Sequence, residues 1–178
     1  MALRAGDILL FEPDDAAGAL VRWWQGTGPS HVSLALGAGQ YVQAGPPIIR
    51  SVNLSFFYGR RWVSVRPRIG LAPCDEVTGA RVAAAGRVAI GQPYSIPKLL
   101  TFLPRLSIRR LFPIPTSWLV CSSVPALAWS FGAGLIWRAD DGTVLDPLRD
   151  VTPLVIASQW QREGWDVTGE SADPPRTF

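Results

Sequence analysis

The chain has 178 residues, 48% of them apolar and 17% charged, with a formal net charge of +3. These proportions exclude a disordered chain and leave room for one sizeable hydrophobic core, so a single domain over residues 1–178 is expected. With only Cys74 and Cys121, a disulfide framework is excluded, and with only His31, imidazole chemistry has one possible seat.

Taken in chain order, Arg4-Ala5-Gly6-Asp7 runs straight into strand-like sequence without a basic-then-apolar leader. A cytoplasmic location is therefore the default expectation, with delivery to the envelope by lysis or by a particle left open. Asp7 to Phe11 is a short apolar run that reads as a buried strand. Asp14-Asp15 reads as a helix start, followed by a helix carrying Ala19, Leu20, Trp23 and Trp24 until Gly26 and Gly28 stop it. His31 to Leu36 is the next strand, Gly37-Ala38-Gly39 a tight turn and Gln40 to Ala44 the returning strand. Ile48 to Val52 and Arg61 to Val65 extend an antiparallel set. Asp75 to Ile90 reads as an amphipathic helix ended at Gly91.

From Pro93 to Pro115 proline, leucine and arginine alternate in an irregular connection. Its apolar and basic residues fit either folding onto the protein's own surface or contact with a membrane interface. Leu111 to Trp137 lacks charge and has the length of a membrane span, but Pro113, Pro115, Pro125, Gly132, Gly134 and several serines favour a buried central helix. Pro147 to Pro153 reads as a loop, and the polar tail of residues 168–178 as loosely held. Val77 to Ala139 contains no acidic residue while holding Arg81, Arg87, Lys98, Arg105, Arg109, Arg110 and Arg138. That stretch is either a solvated basic face or a surface for an anionic membrane or protein partner; no nucleic-acid motif accompanies it.

Two halves of a thiol-hydrolase site stand out. Cys121 opens Val120-Cys121-Ser122-Ser123-Val124-Pro125, which reads as the first turn of a buried helix. A cysteine is nucleophilic as its thiolate, and a helix start and a nearby imidazole both favour that form. The Cys121 amide could also contribute to an oxyanion site. Gln43 lies across the expected hairpin from His31, where its side-chain amide can orient the ring. Each residue also has a plain reading: His31 as a hydrogen-bonded surface residue, Cys121 as a small core residue, Gln43 as a half-exposed strand position. Cys74 is the competing thiol, disfavoured because Asp75 and Glu76 would raise its pKa.

The chain resembles the circularly permuted branch of the NlpC-type papain-like fold, in particular the YiiX-like bacterial proteins, with lecithin:retinol acyltransferase more distant. The matching pieces are residues 4–11, Ser30-His31-Val32 through Gln43-Ala44, Gly91-Gln92-Pro93-Tyr94, Val120-Cys121-Ser122-Ser123 and Val151-Thr152-Pro153. They lie in the permuted order, histidine before cysteine. The resemblance implies an α+β permuted papain-like fold, an antiparallel sheet or half-barrel packed on a central helix that begins at the nucleophile. It implies Cys121 as nucleophile, His31 as base and Gln43 as the polar third member, with Tyr94, Ser122 and Ser30 in supporting or substrate-binding places. Two departures are Gln43, where many relatives carry an acid, and Ser123, where many carry glutamate.

The leading expectation is a cysteine hydrolase, an endopeptidase or amidase cleaving amide bonds in peptidoglycan stem peptides through an acyl-enzyme, without metal or cofactor. The alternatives are a lipid-directed thiol acyltransferase or lipase, suggested by residues 96–110 and the eight tryptophans, and a non-catalytic module of a larger assembly such as a phage tail tip.

Overall fold

A computed structural model describes residues 3–12, 16–25, 28–70, 72–95 and 119–172. Its frame is a six-stranded antiparallel sheet. The strands are β1 (Ile8–Phe11), β2 (His31–Gly37), β3 (Gln40–Gln43), β4 (Arg50–Asn53), β5 (Trp62–Arg66) and β8 (Asp166–Glu170), in the spatial order β4-β3-β2-β1-β5-β8. A small hairpin of β6 (Arg68–Ile69) and β7 (Ala72–Pro73) stands apart from it. The helices are α1 (Ala16–Gln25), α2 (Glu76–Arg87), α3 (Ser123–Ala133) and α4 (Pro153–Glu163), with a 3-10 turn at Leu54–Phe57.

The alternation of side chains along the strands divides the apolar residues between two faces. Ile8, Leu10, Val32, Leu34 and Val42 face the main core, where Val82, Val124 and Trp129 of α2 and α3 meet them. Leu9, Phe11, Ala35 and Tyr41 face the other way, onto Phe57 of the 3-10 turn. The sheet is thus buried on both faces over its central strands, which is why β1 and β2 read as nearly continuous apolar runs.

The β2–β3 hairpin turns as the sequence predicts, with Gly37, Ala38 and Gly39 all at positive φ (87°, 51° and 72°). α2 starts where Asp75 accepts the Thr78 amide at 2.7 Å. α2 and α3 approach closely at Gly132, where a Cβ would stand 2.6 Å from the Val82 Cα.

Several expectations are corrected. The strand expected from Ile48 begins at Arg50, because Ile48 and Ile49 instead engage Pro93 and residues 91–92. The expected helix is α1, and on it Trp23 is 71% exposed. The tail is held further than expected: Asp166–Glu170 is a strand paired with β5, and the Ser171 hydroxyl accepts the Trp62 amide at 3.1 Å. α4, for which no element was expected, is set by Thr152 accepting the Val155 amide, Pro153 in its first turn and Gly164 at φ 61° at its end. Asp14, Asp15, Gly26 and residues 96–118, with their connection and membrane-contact readings, lie outside the described residues. Of the uncharged stretch, Ser123–Ala133 is a helix, buried over most of Ser123 to Trp129 but with Phe131 exposed; no helix among the described residues is long and apolar enough to cross a membrane.

Candidate active site

His31 begins β2 and stands opposite Phe11, the last residue of β1. The Phe11 ring packs against the imidazole with centroids 5.6 Å apart. On the other side of β2, Gln43 ends β3 and is almost fully buried. Its Oε1 lies 2.9 Å from His31 Nε2. A carbonyl oxygen only accepts, so Nε2 must carry the proton and donate it. In the neutral ring this is the tautomer protonated at Nε2, with Nδ1 as the basic nitrogen. The orientation expected of Gln43 is therefore present.

Cys121 precedes the start of α3 by two residues, so the helix does not begin at the cysteine itself. The displacement has a reason: Cys121 and Ser122 form a turn closed by the Ser123 amide donating to the Val120 carbonyl at 3.1 Å. The turn delivers the sulfur to the backbone amide of Val32, the residue after His31. In the β2–β3 register Val32 would face Ala44, but the ladder's first paired rung is Leu34 with Val42. The strands have parted there, and the sulfur takes the Val32 donor that a further rung would have used. Thiol, imidazole and glutamine thus share the open end of one hairpin.

The electrostatics of Cys121 are not those of a ready thiolate. Burial pushes the thiol up to about 11, against the opposing pull of the Val32, Ser122 and Cys121 amides. The Ser122 and Cys121 amides are the helix-start effect expected from sequence, while the Val32 amide comes from β2; desolvation outweighs all three. The resting group is a thiol, and its proton must leave as attack begins. Because thiolate is the reactive form, alkylation of Cys121 by iodoacetamide in a His31→Ala protein is expected to keep rising about tenfold per pH unit past pH 9.5. A plateau at or below pH 9, measured by peptide mapping, would contradict this.

Tyr94 is half-buried beside this group, bridged to Leu119 and held by its amide to the Pro47 carbonyl at 3.0 Å. Burial and the Cys121 charge both raise its pKa, so its hydroxyl remains a donor. Ser122, expected beside the substrate, is fully buried, and its hydroxyl donates to the Val151 carbonyl at 2.7 Å. It anchors the start of α3 to the segment before α4 and has no surface to offer a ligand. Ser30 is buried as well, its amide donating to the Phe11 carbonyl at 2.9 Å, which seats the start of β2.

Cys74 lies away from this group, near the other end of β1. Its thiol is raised chiefly by burial, with Arg66 lowering it and Asp75 and Asp7 adding to the rise, so the neighbouring acids are the smaller part of the cause. Among the described residues no cluster of histidine, cysteine and carboxylate side chains has the makings of a metal site. Phe11 and the Val32 amide escaped the sequence reading. Phe11 carried a signal, as the residue that a β1–β2 pairing sets opposite His31; a backbone amide carries none. No protein-family model matches the chain, and no curated protein does.

Proposed function

We propose that the protein is a cysteine-dependent hydrolase of amide bonds, with a permuted papain-like arrangement of its site. The observation that carries this reading is the convergence at one hairpin end: a thiol on the amide of Val32, and the preceding His31 with its tautomer set by Gln43. In this mechanism Nδ1 of His31 takes the Cys121 proton as the sulfur attacks the carbonyl carbon. The amides around the sulfur favour the negative charge as it forms. The imidazolium then protonates the leaving amine, the C–N bond breaks, and an acyl-enzyme remains. Water, deprotonated by the same imidazole, hydrolyses the thioester and returns the thiol.

Gln43 orients the ring without adding negative charge, so it stabilises the imidazolium less than a carboxylate would. That suits a site whose nucleophile rests as a thiol. Peptidoglycan stem peptides are the substrate class we assign from the family resemblance. Incubation with muropeptides is expected to give new amine termini with the wild-type protein and none with Cys121→Ala. Equal product from both proteins would rule the mechanism out. The lipid-directed alternative rested on residues 96–110, which lie outside the described residues, and on the eight tryptophans, of which Trp129, Trp137 and Trp165 are buried in the core.

A further inference from the structure

A second chemical feature adjoins the same hairpin. Arg50 opens β4, at the edge of the sheet, and its register partner is Gln43. Directly paired residues on antiparallel strands project from the same face, with backbones about 5 Å apart. Arg50 therefore stands beside the His31–Gln43 pair, one strand further out. A line of ring contacts runs along the same face of the sheet. The His31 ring packs on Phe11, Phe11 on Phe57 with centroids 4.7 Å apart, and Phe57 on Phe56 at 5.3 Å. The Arg50 guanidinium lies 5.1 Å above the Phe56 ring, and that of Arg60 lies 5.8 Å from it.

Arg50 is exposed, and among the described residues no carboxylate lies within ion-pairing distance of it. By contrast, Arg61, Arg66, Arg68 and Arg162 each have an acidic partner. An aromatic ring is a weak partner for a guanidinium and leaves its fork of donors open. Stacking on Phe56 limits the side chain's freedom, so less entropy is lost when those donors bind an anion. The result is a partly immobilised cation one strand out from the His31–Gln43 pair, with no carboxylate partner among the described residues.

We infer that Arg50 recognises a carboxylate on the substrate, so that the amide cleaved at Cys121 belongs to an acidic acyl or peptide compound. This rests on the hydrolase reading above and narrows its substrate class. A fork facing a carboxylate forms two parallel hydrogen bonds, giving orientation as well as attraction. The carboxylate would sit on the edge-strand side of the scissile bond, while the bond itself lies at the end of β2.

The test uses two alkylating probes of one length, N-iodoacetylglycine and N-iodoacetylglycinamide, which differ only in carrying a carboxylate or a neutral amide. Each reacts by forming an S–C bond at Cys121 as iodide leaves and the thiol proton passes to His31. The ratio of the two rate constants is read at low ionic strength by peptide mapping. Relative to a free thiol in solution, the wild-type protein is expected to favour the anionic probe by about fivefold. The preference should vanish in Arg50→Gln, persist in part in Arg50→Lys and fade in the wild type at high salt. It should stand unchanged in Arg81→Gln, which removes a charge from α2 on the opposite face of the sheet.

An equal ratio in wild type and Arg50→Gln, with both probes reacting, would overturn the acidic-substrate inference and leave the hydrolase reading intact. A folded protein whose Cys121 reacts with neither probe would overturn the hydrolase reading and this one with it.

Discussion

Replacing His31 with alanine is expected to lower amide cleavage by roughly a thousandfold or more, and replacing Cys121 with alanine to abolish it. The size follows from the resting state of the site. The Cys121 thiol is held up to about 11 by burial, so at neutral pH only about one part in ten thousand is ionised without help. His31 supplies the place for the proton, and the chain has no second histidine to substitute for it. Gln43→Ala should cost less, about ten- to a hundredfold, because it removes the ring's anchor and not the base. Gln43→Asn should recover little, since its shorter side chain cannot span to Nε2 from the same backbone position. The measurement is product release per enzyme, alongside circular dichroism to establish folding. Comparable losses for His31→Ala and Gln43→Ala would contradict the division of roles.

Arg66→Met is expected to destabilise the fold by about 3–5 kcal/mol at neutral pH. Asp7, fully buried at the entry to β1, accepts the Arg66 Nε–H at 2.7 Å and the Arg4 amide at 2.8 Å. Burial pushes its carboxyl above the usual range, against the opposing pull of the Arg4 amide and the Arg66 guanidinium. Removing the guanidinium leaves an uncompensated charge in the interior. The sign of the pH effect follows. An acid whose folded pKa is raised binds its proton more tightly in the folded state, so acidification favours folding. The stability deficit of Arg66→Met should therefore shrink as the pH falls from 7.5 toward 5. Urea denaturation at the two pH values measures this, and Arg66→Met combined with Asp7→Asn should recover part of the loss. A deficit that grows in mild acid would show that the pair contributes in some other way.

These two expectations concern opposite ends of the same strands, and the sequence disclosed the two ends unequally. The β2–β3 hairpin was legible because alternating side chains and a glycine-bounded turn define both strands locally. That hairpin alone placed Gln43 within reach of His31. The start of α4 also had a local signal, Thr152-Pro153, although only the structure brought it to notice. β8 was hidden, because Asp166–Glu170 is polar and becomes a strand only by pairing with β5, about a hundred residues earlier in the chain. Local propensity carries no trace of such a partner.

By itself, then, the sequence determined the inventory: one imidazole, two thiols, the turn that sets His31 against Gln43, and the small-residue helix after Cys121. It could do so because residue identity and short-range backbone geometry are local properties. Only the tertiary structure decided which thiol met that hairpin, that burial keeps it protonated, and that Arg50 stands opposite Gln43 with no carboxylate partner among the described residues. Those outcomes depend on strand order, register and depth within the core, quantities set by contacts between segments far apart along the chain.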